Sequence, residues 1–215
     1  MFERANDGVF RAKTLNDLAW LRHGFGTRLS ANWPDRNGLA FAKQIHSDRV
    51  LKVESEGAQG EGDALISDRP GLALTVRTAD CLPILIADPK NRAVAAVHAG
   101  WRGVVSQIAP KAVEAMTREF GTRPGDVIVA IGPGIGPCCF EVGPEVAAQF
   151  GLSGRTKVDL VSTVCRQLRR NGVSPGQINA SGLCSYCDSQ LFESYRRDRE
   201  QAGRMIAMIG VEGAQ

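Results

Sequence analysis

Histidine is scarce in this chain: among 215 residues, only His23, His46 and His98 carry an imidazole. A site that needs many imidazoles is therefore excluded by count. No stretch approaches the about 20 apolar residues of a membrane-spanning helix, so no membrane partner is expected. The N-terminal run MFERANDGVFRAKTL is charged and has no apolar centre, which is not the pattern of a secretory signal. A cytoplasmic location is the resulting expectation. Basic residues are scattered, with one short run at Arg196, Arg197 and Arg199, and no stripe alternates Lys or Arg with aromatics. Nucleic acid is accordingly not an expected partner. Repeats, low-complexity tracts and Ser/Pro-rich linkers are absent as well.

The composition that is present is that of a globular protein, with 43% hydrophobic and 23% charged residues. The length suits one well-buried domain over 1–215. A net charge of +3 is compatible with an anionic small-molecule ligand. Six cysteines in a cytoplasmic setting read as thiols, ligands or nucleophiles rather than as a disulfide framework.

Apolar runs at 50–53, 64–66, 72–76, 82–87 and 93–97 predict strands, several of them continuous enough to be buried on both faces. The stretch 104–120 predicts a helix, with Val105, Ile108, Ala112, Ala115 and Met116 on one face and Gly121 as its stop. A strand at 127–131 leads into the Gly/Pro-rich loop GPGIGPCCFEVGPE. A helix over 159–171, a strand near Ile178, a helical stretch at 191–199 and a final strand over 205–211 follow. Strands and helices mix without a regular βαβ alternation, which argues for an α/β or α+β sandwich.

Cys81 opens the run 82–87 and His98 closes 93–97. A hairpin through Asp88-Pro89-Lys90-Asn91 brings the two side by side. His46, in KQIHSDRV with Gln44 two residues earlier, completes a set of two imidazoles and one thiol. Three such ligands with an open fourth position are the pattern of a catalytic zinc. The same donors suit a type-1 copper site, while a multinuclear copper oxidase lacks the histidines it needs. Without a metal, Cys81 and His98 read as a nucleophile and its base.

Gly100 and Gly103 leave room for close ligand approach, and Arg102 beside Trp101 offers a planar cation for a phosphate or carboxylate. Cys138 and Cys139 read either as small buried thiols or as a wall of the site. Cys184 and Cys187 form a lone CxxC, read as structural because no second pair is evident in sequence. Cys165 and His23 read as structural too.

The segments HGFGTR (23–28), QIHSDRV (44–50), GDALIS (62–67), GLALTVRTADCLPILIAD (71–88), AAVHAGWRG (95–103), AIGPGIGPCCFEVG (130–143) and LFESYRRDREQAGRMIAMIG (191–210) resemble the YfiH-type laccase-domain family. That family is also called multicopper polyphenol oxidase and includes peptidoglycan editing factor. The resemblance implies a four-layer α/β/β/α sandwich with mixed sheets, like the catalytic domains of cytotoxic necrotising factors. It implies a metal site, usually zinc, at His46, Cys81 and His98, with copper as the alternative. It implies purine nucleoside phosphorylase, methylthioadenosine phosphorylase or adenosine deaminase activity, with polyphenol oxidation and amidase editing of peptidoglycan precursors as alternatives. The chain departs from the family between Arg28 and Lys43, where relatives carry a longer segment that includes a helix.

The expected partners are a purine nucleoside and phosphate, and the expected assembly a monomer or small homo-oligomer. Asp80 or Asp63, with Glu141 as the alternative, is expected to shuttle the proton beside Cys81 and His98. Gln44, Arg102, Arg77, Arg28, Cys138 and Glu141 are the expected substrate contacts.

Overall fold

A computed structural model of the chain describes residues 1–35 and 37–213. Two large sheets lie face to face. The seven-stranded sheet runs in the order Phe2–Arg4, Phe10–Ala12, Leu21–Phe25, Met205–Val211, Ala73–Thr78, Leu39–Lys43, Gly57–Glu61. The six-stranded sheet runs Ile178–Ala180, Ile128–Ile131, Leu82–Asp88, Ala93–Ala99, Ala64–Ser67, Val50–Lys52. Both mix parallel and antiparallel pairs, as in an α+β fold.

The continuous apolar runs have a simple reason. Every residue of Leu82–Asp88 and Ala93–Ala99 is buried, and successive side chains alternate between two cores. Leu85, Ala87, Val94 and Ala96 face the other sheet, where they meet Leu74, Val76, Ala207 and Ile209. Leu82, Ile84, Ile86, Ala95 and Val97 face the helices, where they meet Ile108, Ala112, Met116, Val164 and Leu168. Asp88, fully buried at the hairpin turn, accepts from the backbone N–H groups of Lys90 and Asn91 and from the Asn91 amide. That caps the turn and fixes its register.

The helix expected over 104–120 is broken in two, Trp101–Val105 and Ile108–Phe120, with Gln107 left-handed between them. Pro110 has no N–H to give to Ser106 and its ring crowds that carbonyl, so the second helix starts afresh with Pro110 in its first turn. Helix Leu160–Arg170 begins at Asp159, whose side chain accepts from the Ser162 N–H as an N-cap. The helical stretch expected at 191–199 is shorter, Tyr195–Asp198 followed by a 3₁₀ turn.

Helices Ile108–Phe120 and Leu160–Arg170 pack on the six-stranded sheet, and the seven-stranded sheet turns its outer face the other way. The remaining helices of the described residues, Lys13–Asn16, Pro144–Gln149 and Tyr195–Asp198, have six residues or fewer. The loop after Thr27 covers part of this face. Its Trp33 ring lies over Gly24 and Gly26, where any Cβ would collide with it, and the indole N–H donates to the Ile206 carbonyl. Phe41, on the same face, stays 48% exposed. Pro34 and Gly38 in this short segment leave no uninterrupted stretch for a helix.

His23 is a structural residue, as its sequence context suggests. It is 5% exposed, and its Nε2 accepts from the Ala12 N–H at 3.0 Å. Burial, reinforced by the Arg11 charge, pushes its pKa down to about 4. The unfolded chain therefore binds a proton below about pH 6.5 that the folded chain refuses, and stability falls as pH drops from about 6.5 toward about 4. Between pH 7 and pH 4.5 this single group is expected to cost about 2 kcal/mol. Urea unfolding of wild type and His23→Gln at the two pH values checks this: the wild-type loss should exceed the variant's by roughly that amount.

Candidate metal centre and cavity

Cys81, His98 and His46 meet at one end of the six-stranded sheet, and one donor atom of each lies within 4.8 Å of the others. The hairpin does this, with a register two residues different from the sequence expectation. His98 pairs with Pro83 and Ala99 with Leu82, so the next residue pair is Gly100 and Cys81. A Cβ on Gly100 would lie 2.9 Å from Cys81 Sγ and 3.0 Å from His46 Cδ2. Glycine is needed there to let the thiol and the imidazole stand over the backbone.

His46 sits in the left-handed region, φ 59°, which is uncommon for a residue other than glycine and is held here by its surroundings. Asp63 imposes it. This carboxylate accepts from the backbone N–H groups of Ile45, His46 and Ser47 at 3.2, 3.0 and 2.7 Å, and from the Ser47 hydroxyl at 2.7 Å. Its Oδ1 also stands 2.8 Å from His98 Nδ1, and its carbonyl accepts the His98 N–H. An ionised carboxylate only accepts, so Nδ1 carries the proton and His98 Nε2 is left for the site. Burial alone would raise the Asp63 carboxyl, but hydrogen bonds from His98 and Ser47 outweigh it and hold it well below the usual range.

Cys81 is placed from the other side. Asp80, at φ 88°, turns the chain into the strand. Its two oxygens accept from Ser185 Oγ and the Arg196 N–H, each at 2.7 Å. Burial pushes the Cys81 thiol up, but His46 and His98 pull it further down, to about 7. Burial likewise opposes the His98 charge, yet Asp63 and Cys81 raise its pKa to about 9.

The three donors open onto a cavity of about 950 Å³. Gln44, Arg77 and Asp80, all expected from sequence, line it. The Gln44 amide is committed to the Arg77 backbone, donating to its carbonyl and accepting its N–H, both at 2.8 Å. Arg77 makes no ion pair among the described residues.

Other expected residues have their polar atoms engaged or stand outside the cavity lining. Asp63 lies behind His98, all its oxygens in use, which suits holding the imidazoles rather than shuttling a proton. Both Asp80 oxygens are likewise occupied. Arg28 is clamped by Glu193 and Asp198 at 2.8 and 2.9 Å and does not line the cavity. Arg102 lies over the Trp101 ring, 4.4 Å from its centroid, also outside the lining. The Glu141 side chain faces Arg155, and Cys138 belongs to a group of cysteines elsewhere.

In their place the cavity takes Lys43, Phe140, Tyr195, Arg196 and Arg204. Arg196 donates to the Glu141 carbonyl and packs over the Phe140 ring. It belongs to the one basic run in the sequence, and that run was the available signal.

Fold and centre together define a mixed α+β protein with a three-donor His/Cys/His site at the mouth of a basic cavity. The sequence model described as multi-copper polyphenol oxidoreductase laccase matches residues 26–212. A purine nucleoside phosphorylase of Deinococcus radiodurans is 43% identical over 183 residues, covering 80% of this chain and 70% of its own. One of Clostridium acetobutylicum is 35% identical over 188 residues, covering 83% and 79%. The crystal structure of the Bacillus licheniformis hypothetical protein YfiH superposes with a TM-score of 0.89 at 28% identity, covering 98% of this chain and 99% of that one. The chain belongs to this laccase-domain, YfiH-type family. No helix of the described residues is long and apolar enough to cross a membrane.

Replacing Asp63 by Asn removes the charge that five donors share. Asp63→Asn should lose about 2–3 kcal/mol of unfolding free energy at pH 7, read by urea denaturation. In metal-stripped protein, the His98 imidazole, followed by NMR titration, should fall from about 9 toward its ordinary pKa.

Proposed function

We propose that this chain is a metal-dependent enzyme of purine nucleosides, performing phosphorolysis of adenosine, inosine or methylthioadenosine, with adenosine deamination as a second reaction at the same site. The observation that carries the reading is the pairing of the His46, Cys81 and His98 donors with an arginine-lined cavity, in a chain whose relatives bear the name purine nucleoside phosphorylase.

The donor set fits one ion. Two imidazoles and a thiolate converge within 4.8 Å, and Gly100 keeps open the space that a Cβ would fill. Zinc is the preferred identity, since three protein ligands and an open position are its catalytic pattern. When bound, it would supply Lewis-acid polarisation of an oxygen in the cavity. The chain's residues do the rest. Arg77, Arg196 and Arg204 offer planar cations for phosphate. Phe140 and Tyr195 offer aromatic surface to a purine. Phosphorolysis breaks the C1′–N bond and joins a phosphate oxygen to C1′, so phosphate must lie beside the ribose, as cations on the walls of one cavity allow.

Copper is the alternative ion, on the family description and the donor set. A multinuclear copper centre is disfavoured because the third histidine, His23, is buried against Ala12 in the sheet core region. A second chemical reading follows from Cys81, His98 and Asp63. A lowered thiol beside an imidazole oriented by a carboxylate is the arrangement of a cysteine nucleophile, and suits amide hydrolysis.

The test is incubation of metal-analysed protein with adenosine, inosine and methylthioadenosine, with and without phosphate. Free base and a ribose 1-phosphate, formed only with phosphate, are the expected products; ammonia from adenosine reports deamination. His98→Ala should lose both bound metal and turnover, and phosphorolysis retained by metal-free His98→Ala protein overturns the reading. Stoichiometric copper with phenol turnover selects the oxidase, and acylation of Cys81 by an amide-directed probe selects the nucleophile. Gly100→Ala should weaken metal binding about tenfold or more, measured by competition with a chelator, while its melting temperature changes little.

A further inference from the structure

Four cysteines that sequence spacing keeps apart, Cys138, Cys139, Cys184 and Cys187, bring their sulfurs within 4.8 Å of one another. None is in a disulfide, and none lines the cavity of the His/Cys/His centre. We propose that these four thiolates form a second, structural metal site that holds zinc and ties the loop after Ile131 to the loop before Phe192.

The distances are those of one tetrahedral ion. Zinc–sulfur bonds of about 2.3 Å place the sulfurs of a tetrahedron about 3.8 Å apart. Cys187 Sγ lies 3.6 Å from Cys138 Sγ and 3.4 Å from Cys139 Sγ. A polynuclear iron–sulfur cluster would set its ligand sulfurs further apart than this group allows. The loop backbones are shaped for the sulfurs. The Gly136 N–H donates to Cys184 Sγ at 3.2 Å, the kind of outer hydrogen bond that fixes a thiolate ligand. A Cβ at Gly136 would stand 3.3 Å from both Cys138 Sγ and Cys184 Cβ, tighter than ordinary contact. Cys139 and Phe140 N–H groups both donate to the Gly136 carbonyl, which folds the adjacent cysteine pair toward the CxxC turn. Four thiolates with no open position match a structural zinc site.

The position gives the site its purpose. The two loops otherwise join through a bridge between Gly134 and Cys184 and the Ser185 N–H to the Gly134 carbonyl. The first loop carries Ile135 and Phe140, which wall the cavity. The second carries Ser185, whose hydroxyl anchors Asp80 next to Cys81. An ion between them fixes both without touching substrate.

The test uses the full chain, stripped of metal and reconstituted with zinc alone, with metal counted by mass spectrometry of the elements. Wild type should hold two zinc ions, His98→Ala one and Cys187→Ser one. X-ray absorption of zinc-loaded His98→Ala should show four sulfur ligands at about 2.3 Å. Cys187→Ser with the wild-type zinc count overturns the proposal, as does His98→Ala with no zinc. If Cys187→Ser fails to fold, wild type answers: alkylation of the exposed Cys138 and Cys187 should need a chelator first. Prompt alkylation of the zinc-loaded protein, or an intact mass two units low from a disulfide among the four, overturns it. The His98→Ala zinc count separates this proposal from the reading of the catalytic centre, because each can fail alone.

Discussion

The Asp63 carboxylate is the interaction on which the rest of the centre depends. It is 1% exposed and takes hydrogen bonds from three consecutive backbone N–H groups, a hydroxyl and an imidazole. A buried carboxylate is costly unless its lone pairs are filled, and here the filling does structural work. The same oxygens that are satisfied by Ile45, His46 and Ser47 force the left-handed turn that presents His46. The one that meets His98 fixes the tautomer and leaves Nε2 for the site. Two donors from segments far apart in sequence are thus positioned by one charge.

The thiol has its own support on the opposite side. Asp80 is to Cys81 what Asp63 is to the histidines, a carboxylate that spends its oxygens on the chain rather than on solvent. Its partners, Ser185 and Arg196, come from the C-terminal quarter. Arg196 then turns its guanidinium toward the cavity wall. Arg197 beside it points inward, donating to the carbonyls of Ser185, Tyr186 and Phe192. One basic run therefore divides its labour, with one arginine lining the cavity and the next holding the loop that steadies Asp80.

What could be read from the sequence follows the range of the forces involved. The strands Leu82–Asp88 and Ala93–Ala99 were legible because continuous burial leaves a continuous apolar run, and the turn between them because Asp88-Pro89 is local chemistry. Hence the meeting of Cys81 and His98, and with the resemblance the place of His46, could be expected. The register was not legible: only the structure shows that Gly100, and not His98, stands opposite Cys81. The cysteine group was invisible for the same reason. Cys138-Cys139 and Cys184-x-x-Cys187 are about 45 residues apart, and no local pattern pairs them. Charge is the most promiscuous of these signals. Arg28 and Arg102 have the side chain a phosphate wants, but Glu193, Asp198 and the Trp101 ring already hold them.

These placements bear on the kind of chemistry the chain can support. Its imidazoles are divided two to one between the centre and the core, since His23 is buried with its Nε2 on the Ala12 backbone. Its thiols are divided one to four between the centre and the loop cluster, with Cys165 on a helix. The centre is left with three donors for one ion. A chain that transfers several electrons through neighbouring copper ions needs more imidazoles than two. A chain that polarises one bond beside a bound anion needs one ion, an open position and fixed cations. The second demand is the one that the three donors and the arginines of the cavity suit. The separation of roles makes the same point. The four clustered cysteines lie outside the cavity lining, which leaves the centre a single thiol, pushed up by burial and pulled further down by its two imidazoles.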